Sequence, residues 1–419
     1  MSSVDHGRGS DPTRSTAHTR PRPHATLTLI LLLTGLGLTA ALTGPGDDAE
    51  APTGALRDDL PVPEGTEGDD DRTAVEALAD LPSDTTMVWA GARLGEGYAE
   101  AVADDPRVPV STVVRGETLK LVETRAAEGR IVDELPEGWW YPVEVLAFEP
   151  DRFDALVDHQ VLRGLEPHQA VLSETSAQVR GLGAGDLLEF ADGTELRVRA
   201  VLPDGLIGAA EVAVGVDSPL EVETEKFLLA RPGDEQGRAA LTELATDDRE
   251  PRLVPHGTAP VLRHAHGVLP QVQRKAHFGE FAMQQRPGRD IRPGQSWVDE
   301  HITVESVPIL GRVRCHREIF EPLRAAMHEL EARGAQNTID DYAGCWVPRT
   351  SGTTGPLSSH AWGISIDFNA QANPYGAEPQ QPDVLVEVMA EHGFLWGGDW
   401  DVPDAMHFEL APGRETGRN

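Results

Sequence analysis

The residues best able to do chemistry in this chain lie near its C-terminal end. Two histidines and an aspartate, His360, Asp367 and His407, come from two separate stretches of sequence. Two imidazoles and one carboxylate form a ligand set that suits zinc and leaves a fourth coordination position open. A bound zinc ion lowers the pKa of a water molecule to roughly 7, so that hydroxide is available at neutral pH. The pattern therefore predicts a hydrolytic site with one zinc ion.

A second carboxylate, Asp404, precedes His407 by three residues. From there it could act as a general base on the attacking water without being a metal ligand. The surrounding segment, 406–410, alternates with period two, which predicts a strand. His407 and Glu409 would then face one way, and the apolar residues between them would face the core.

The elements around these residues must bring both histidines to one point. His360 and Asp367 are seven residues apart, an offset that an unbroken strand would place on opposite faces, and Gly363 offers the bend that brings them together. Amphipathic helices are predicted over 317–333 and 382–393. The chain has no HExxH helix, so the predicted site lies on loops and strand ends of an α+β domain.

These residues form the pattern Ser358-x-His360-x-x-Gly363-x-x-x-Asp367, followed by Asp404-x-x-His407. In this pattern the chain resembles the zinc D-alanyl-D-alanine carboxypeptidases and L-alanyl-D-glutamate endopeptidases that cut bacterial cell-wall peptides. The resemblance covers residues 275–411 and implies the hedgehog-like metallopeptidase fold for this part of the chain.

The resemblance also implies a role for each matching residue. His360, Asp367 and His407 would bind the zinc ion, and Asp404 would be the general acid/base. Arg349 looks like the family's arginine that polarises the scissile carbonyl. Many carboxypeptidase members have Glu where this chain has Asp404, and the Asp form is more typical of the endopeptidase branch. The choice between the two activities stays open.

Two further pairs of residues support the predicted site. Ser358 and Glu409 are expected to orient the metal ligands from outside the coordination sphere. Cys315 and Cys345 are the only cysteines; in an exported protein they predict a disulfide, whereas in a reducing cytosol they would be free thiols. The disulfide would close a loop of about thirty residues, contribute about 3–4 kcal/mol and hold Arg349 near the metal.

The N-terminal sequence indicates export. Residues 1–24 are polar and basic, residues 25–43 are uncharged and mostly apolar, and acidic residues follow. The apolar segment can just cross a hydrocarbon core of about 30 Å as a helix, and the flanking charges place the N-terminus inside. We predict a single-pass protein of the cell membrane with its C-terminal domains outside. The alternative is a signal peptide, cleaved near Ala40 and Ala41, and a secreted protein.

The composition of the chain restricts its partners. Net charge is −33, which argues against a nucleic-acid partner, because nucleic-acid binding needs a basic face. The acidic segment 44–72 is rich in Pro and Gly and predicts an unfolded linker.

Residues 73–270 are long enough for a core of their own. Predicted strands cover 108–114, 141–148, 186–190, 196–201, 212–216 and 227–230, and predicted helices cover 152–157, 170–179 and 235–246. The stretch 171–186 and the hairpin after it resemble extracytoplasmic domains of the FtsX/MacB-like class, which implies a module that contacts a membrane-protein partner. His256, His264 and His266 lie in a Pro/Gly-containing stretch and are expected to be exposed and without metal.

The sequence thus predicts a cytoplasmic tail (1–24), a membrane anchor or signal (25–43), a linker (44–72), a β-rich α+β extracytoplasmic domain (73–270), a zinc metallopeptidase domain (271–411) and a short tail (412–419). The predicted activity is hydrolysis of peptide bonds in peptidoglycan stem peptides. Two alternatives are a non-catalytic wall-binding protein of the same fold and a regulator in which residues 73–270 are the main functional part.

Overall fold

The structure, a computed structural model, describes residues 85–412 except 90–93, 96, 158–161, 208–209, 246–251, 256–267, 352–354 and 401. The predictions that lie outside the described residues concern segments 1–24, 25–43 and 44–72, residues 413–419, and His256, His264 and His266. Among the helices that the structure describes, none combines the length and apolar composition needed to cross a membrane.

Residues 85–255, here called the barrel region, consist mainly of β-strands. The strands are β1 (Thr86–Trp89), β2 (Val110–Arg125), β3 (Ile131–Glu134), β4 (Tyr141–Phe148), β5 (Gln169–Ser173), β6 (Leu187–Phe190), β7 (Glu195–Leu202), β8 (Val212–Gly215), β9 (Glu225–Arg231) and β10 (Arg252–Pro255). The helices are α1 (Tyr98–Asp104), α2 (Pro150–Val157), α3 (Glu174–Arg180) and α4 (Glu235–Glu243).

Strands of the barrel region close on themselves. Within the described residues their order is β2-β4-β8-β5-β7-β6, and β6 pairs again with β2. Closure is possible because the long strand β2 pairs with β4 over 115–121 and with β6 over 121–125. Burial alternates along the first half of β7, where Leu196 and Val198 point inward, as the two-residue period of a strand requires. These side chains and their counterparts on the other strands fill the barrel.

The remaining strands extend the sheet beyond the barrel. On the side of β2 away from β4, the sheet continues with β9, then β1, then β10. Helices α1 and α4 cover one face of this extension, where the Tyr98 hydroxyl donates to the carbonyl of Leu241 at 2.6 Å. Helix α2 packs Phe153 and Leu156 against the opposite face. The extension is therefore buried on both sides by the helices that the sequence places around it.

The predicted strands of this region are confirmed, and β2 runs well beyond the predicted 108–114. The predicted helix 170–179 is wrong in its first part, because β5 occupies Gln169–Ser173 and α3 begins at Glu174. The Ser173 side chain accepts a hydrogen bond from the amide of Ser176 and so caps α3. The residues before this cap lie between β7 and β8, and such pairing overrides local propensity.

Residues 268–412, here called the motif region, combine helices with short strands. The strands are β11 (Met283–Gln285), β12 (Ile291–Pro293), β13 (Ile302–Val307), β14 (Gly311–His316), β15 (Tyr342–Gly344), β16 (Ser365–Phe368), β17 (Phe394–Trp396) and β18 (His407–Leu410). The helices are α5 (Gln271–Phe278), α6 (Gln295–His301), α7 (Phe320–Ala332), α8 (Ser359–Trp362) and α9 (Asp383–Glu391). Short 3-10 helices cover Arg317–Ile319, Gln336–Thr338 and Gly397–Asp399.

The core of the motif region lies between helices and an antiparallel sheet. The sheet has the order β15-β16-β18-β17, and α7 and α9 pack against each other beside it. Leu323, Met327, Leu385 and Phe408 belong to the same buried cluster. The helices predicted over 317–333 and 382–393 are confirmed as α7, preceded by the 3-10 helix Arg317–Ile319, and α9. The two regions together give the mixed α+β fold that the sequence predicts.

A disulfide connects Cys315 on β14 to Cys345 just after β15, with a Cα–Cα distance of 5.5 Å. Both half-cystines are buried, and the predicted pairing is confirmed. Backbone hydrogen bonds beside it join the His316 amide to the carbonyl of Gly363 at 2.9 Å and the Val347 amide to the carbonyl of His360 at 3.0 Å. The cross-link thus fixes the strands that hold the Gly363 turn.

Replacing both half-cystines by alanine should lower the free energy of unfolding by about 3–4 kcal/mol, because the unfolded chain regains the entropy of an open loop. Denaturant unfolding of the purified protein measures this change. Wild-type protein unfolded in the presence of a thiol reductant is the matched control and should behave like the double variant. An unchanged free energy of unfolding would contradict a stabilising cross-link.

Candidate metal centre

Three side chains from two separate stretches converge in the motif region. His360 Nε2 lies 3.1 Å from Asp367 Oδ1 and 3.2 Å from His407 Nδ1. The third side of this triangle, from His407 Nδ1 to Asp367 Oδ1, measures 3.3 Å. Both histidines are almost completely buried. The structure therefore brings together the residues that the sequence predicts as metal ligands.

The turn between His360 and Asp367 depends on Gly363. Helix α8 begins after Ser358, whose hydroxyl accepts a hydrogen bond from the His360 amide, and it ends at Gly363 with φ +71°. A Cβ at Gly363 would lie 2.8 Å from the amide nitrogen of His316. Both the left-handed backbone and the close approach of β14 therefore require glycine. The bend predicted from the sequence is confirmed.

Strand pairing places the other ligands side by side. β16 and β18 are antiparallel, with Asp367 opposite His407 and Ser365 opposite Glu409. Directly opposed residues share one face of a sheet and can touch. The alternate residues of β18, including Phe408, join the apolar core on the other face. The predicted orientation of His407 and Glu409 is therefore confirmed.

Hydrogen bonds outside the triangle fix the tautomer of each imidazole. His360 Nδ1 lies 2.8 Å from the carbonyl oxygen of Cys345, which can only accept, so Nδ1 carries the proton and Nε2 keeps its lone pair. His407 Nε2 lies 3.4 Å from Glu409 Oε2 and from Ser359 Oγ, which leaves Nδ1 facing the triangle. Such carboxylate and carbonyl partners are typical of metal-ligating histidines.

In the metal-free protein the buried charges of the site hold one another in their ionised forms, and a metal ion would replace the proton on the His407 nitrogen that faces the triangle. Burial acts to raise the pKa of Asp367, but the adjacent imidazoles of His360 and His407 lower the pKa well below its usual range. Burial acts to lower the pKa of His407, but hydrogen bonds with Asp367 and Glu409 raise it to about 9. Burial acts to raise the pKa of Glu409, but the charge of Arg274 and the hydrogen bond from His407 lower it to about 2.

The geometry of the triangle fits one zinc ion. Ligand atoms at about 2.0–2.1 Å from a tetrahedral zinc ion lie about 3.3 Å from one another. The three observed separations, 3.1, 3.2 and 3.3 Å, match this value. Among the residues that the structure describes, this is the one group of three or more His, Cys, Asp or Glu side chains placed to hold a metal. The donor set, two imidazoles and a carboxylate, is also one that zinc accepts.

Asp404 lies beside the triangle on the loop before β18. Its amide donates to the carbonyl of Gly397 at 2.8 Å, and a Cβ at Gly397 would lie 2.5 Å from the Asp404 carbonyl oxygen. Within the described residues, Asp404 Oδ1 is buried and has no hydrogen-bond partner. Burial raises the pKa of Asp404, while the charges of His407 and Arg349 act to lower it. An unsatisfied buried carboxylate oxygen next to this triangle is a group available for proton transfer.

Arg349 approaches the site from the segment before α8. The Arg349 carbonyl accepts a hydrogen bond from the Ser358 amide at 3.1 Å, and Arg349 pairs with Asp290 in an isolated β-bridge. In the described part of the chain, Arg349 Nε is buried without a hydrogen-bond partner, and its charge acts on Asp404. The guanidinium is therefore near enough to influence the carboxylate predicted as the base.

Ser358 and Glu409, the two residues predicted to orient the metal ligands, make different kinds of contact. Glu409 contacts His407 as predicted, whereas Ser358 contacts the backbone of His360. The neighbouring Ser359, which the sequence analysis did not select, contacts His407 and accepts a hydrogen bond from Ser365 at 2.6 Å. Two adjacent serines before the histidine give no local signal that distinguishes the capping residue from the residue that contacts the ligand.

Of two tryptophans near the motif, Trp362 lies in the apolar core and Trp400 lies beside His407. Trp362 is completely buried in the apolar core, and its Nε1 donates to the carbonyl of Gly279 at 3.0 Å. Trp400 has its ring centroid 5.2 Å from that of His407. Trp400, unlike Trp362, therefore packs beside a residue of the triangle.

Comparison with known proteins agrees with the site. The profile of a family described as D-alanyl-D-alanine carboxypeptidase matches residues 351–410. This span contains the three converging residues and Asp404, and it ends short of Arg349 on its N-terminal side. No curated protein matches the chain at a significant level.

Two solved structures resemble part of the chain. One is the periplasmic region of MacB from Actinobacillus actinomycetemcomitans, at 12% identity and a TM-score of 0.30, covering 47% of this chain and 100% of that chain. The other is the extracellular domain of the noncanonic ABC-type transporter YknZ from Gram-positive bacteria, at 10% identity and a TM-score of 0.27, covering 41% of this chain and 99% of that chain.

Substituting alanine at Gly363 should weaken zinc binding and lower the free energy of unfolding. Gly334→Ala is the matched control, because Gly334 has φ +68° but nothing within 4 Å of its added Cβ. The left-handed conformation alone should destabilise each variant by about 1–2 kcal/mol. Only the Gly363 variant must also displace β14. Denaturant unfolding and zinc titration measure both effects, and equal zinc affinity in the two variants would contradict this role of the turn.

Proposed function

We propose that this chain is a zinc-dependent peptidase that hydrolyses peptide bonds of peptidoglycan stem peptides outside the cell. The observation that carries the proposal is the triangle of His360, Asp367 and His407, whose lone pairs face one point beside the unsatisfied carboxylate of Asp404. The match to a D-alanyl-D-alanine carboxypeptidase profile over the same residues supports the substrate class.

The residues of the chain divide the work of hydrolysis. A bound zinc ion supplies Lewis acidity and lowers the pKa of a water molecule. Asp404 accepts the proton of the attacking water and returns it to the leaving amine, which requires the ionised carboxylate at the start of the reaction. Arg349 donates hydrogen bonds to the carbonyl oxygen as negative charge develops there. Cys345 and Glu409 hold the two imidazoles in the required tautomers.

The proposed location is extracytoplasmic. The disulfide Cys315–Cys345 favours an oxidising compartment, and the apolar segment 25–43 provides an anchor or a cleaved signal. We propose that the anchor holds the protein at the membrane and that residues 73–270 contact a membrane-protein partner. Whether the enzyme acts as a carboxypeptidase or an endopeptidase is decided by the masses of products released from defined cell-wall peptides.

Changing Asp404 to Asn should reduce hydrolysis of purified muropeptides by at least about 100-fold, because general-base catalysis contributes that much or more. Zinc content should stay unchanged, because Asp404 is outside the triangle. Asp399→Asn, an exposed acid on the same loop, is the matched control and should keep wild-type activity. Product release measured by mass spectrometry, with zinc measured by elemental analysis, provides the test. Wild-type rates in the Asp404 variant would contradict its role as the general base, whereas no hydrolysis by the wild-type protein would favour the non-catalytic wall-binding alternative.

Zinc removal should abolish hydrolysis, and stoichiometric zinc should restore it. Zinc should also raise the thermal midpoint of the metal-free protein, because a ligand that binds only the folded state stabilises it. His407→Ala should lose this shift, whereas His328→Ala, an exposed histidine on α7, should retain it. If zinc gives the same thermal shift in the His407 variant as in the wild type, the proposed ligand set is wrong.

A further inference from the structure

Helix α5 lies where the barrel region and the motif region meet. Two of its residues, Gln271 and Lys275, are one turn apart and contact Glu211 of the barrel region. Lys275 Nζ is 2.7 Å from Glu211 Oε2, and Gln271 Nε2 donates to Glu211 Oε1 at 2.8 Å. The same two side chains donate to the carbonyl of Pro142 on β4, at 2.6 and 3.0 Å. The helix is therefore anchored on the barrel.

The contacts around Glu211 form a buried ionic network. Arg180 on α3 contacts both Glu211 and Glu280, and Lys275 lies 2.7 Å from Glu280. Glu211 and Lys275 are 0% and 2% exposed. Buried charges are strongly destabilising when a partner moves away. The network therefore allows essentially one position of α5 relative to the barrel.

The residue of α5 that precedes Lys275 contacts the metal centre. Arg274 Nη2 lies 3.3 Å from Glu409 Oε1, and Glu409 Oε2 is the atom that contacts Nε2 of His407. Gln271 also contacts the motif region, where its Oε1 accepts from the amide of Leu357 at 3.1 Å. A continuous chain of contacts thus runs from Glu211 through α5 to a metal ligand.

We infer that Arg274 is a positioning residue for His407 and that the barrel region, through Glu211 and α5, keeps Arg274 in place. Glu409 has two oxygens: Oε1 forms an ion pair with Arg274 at 3.3 Å, and Oε2 contacts the imidazole and orients it. Moving α5 by the length of one hydrogen bond would release Glu409 to rotate, and His407 would lose its fixed tautomer and direction. The inference makes metal affinity a property of both regions, and it rests on the proposed zinc site.

The first test compares variants of Arg274 in the full chain. Titration with Co²⁺, followed by its visible absorption, and competition with Zn²⁺ give the metal affinity and the ligand geometry. Arg274→Gln should weaken binding roughly 10- to 100-fold, the usual effect of losing a group that orders a ligand. Arg274→Lys should recover most of the affinity, because the charge remains. Arg324→Gln, which removes an ion pair with Glu305 elsewhere in the motif region, is the control.

The second test breaks the contact with the barrel region without leaving a buried charge unpaired. Glu211→Gln combined with Lys275→Met removes one acid and one base and keeps the Arg180–Glu280 pair. This double variant should fold and bind Co²⁺ more weakly than the wild type, with an altered absorption spectrum. Glu189→Gln, which removes a partly exposed ion pair on the barrel, should bind Co²⁺ normally. If the double variant does not fold, Gln271→Met, which changes no charge, decides the outcome in the same assay.

The outcomes separate the inference from the proposed function. Failure of wild-type protein to bind Zn²⁺ or Co²⁺ would overturn the metal site itself. Normal affinity in a folded Arg274→Gln variant would overturn the positioning role while leaving the zinc site intact. Normal affinity in the folded double variant, or in Gln271→Met where that variant decides, would overturn the dependence on the barrel region. Weakened binding with an altered Co²⁺ spectrum, both in Arg274→Gln and in the variant that breaks the contact with the barrel region, would support the inference.

Discussion

The candidate metal centre depends on the placement of protons away from the point where three electron-pair donors meet. Two imidazole nitrogens and a carboxylate oxygen, 3.1–3.3 Å apart, face one another in a buried site. They can act together as ligands only if each imidazole carries its proton on the opposite nitrogen. The Cys345 carbonyl and the Glu409 carboxylate impose this arrangement. The disulfide, the strand pairing and α5 contribute to the site by holding these two acceptors.

Much of this site is encoded locally and could be predicted from the sequence. The alternation around His407 identifies a strand with one apolar face, and the single glycine between His360 and Asp367 identifies the turn. Paired strands then bring Asp367 and His407 into register, although the sequence does not specify which strands pair. The helices α7 and α9 were predictable for the same reason, because their apolar stripes repeat with the helical period.

What the sequence could not reveal depends on contacts between distant segments. Residues 170–172 in the middle of β5 are apolar without a break, so a strand buried on both faces and a buried helix look alike. Pairing with β7 and β8 decides between them. The alternation of the segment places Glu409 beside His407, but it does not reveal that Arg274 forms an ion pair with Glu409. No sequence pattern within either segment predicts that ion pair. The error in β5 and the omission of Arg274 therefore have the same physical origin.

The ionic network at α5 is better explained as a means of fixing the position of the helix than as a means of stabilising the fold. Replacing buried ion pairs with apolar residues is often neutral or stabilising, so Glu211, Lys275 and Arg180 are a poor means of strengthening the contact between the two regions. Trp140 and Met283 already join these regions through paired backbone hydrogen bonds of 2.9 and 3.1 Å. An apolar contact tolerates sliding, whereas a buried charge does not. A network that fixes the position of α5 is useful when a neighbouring side chain, here Arg274, must keep a fixed position relative to its partner Glu409.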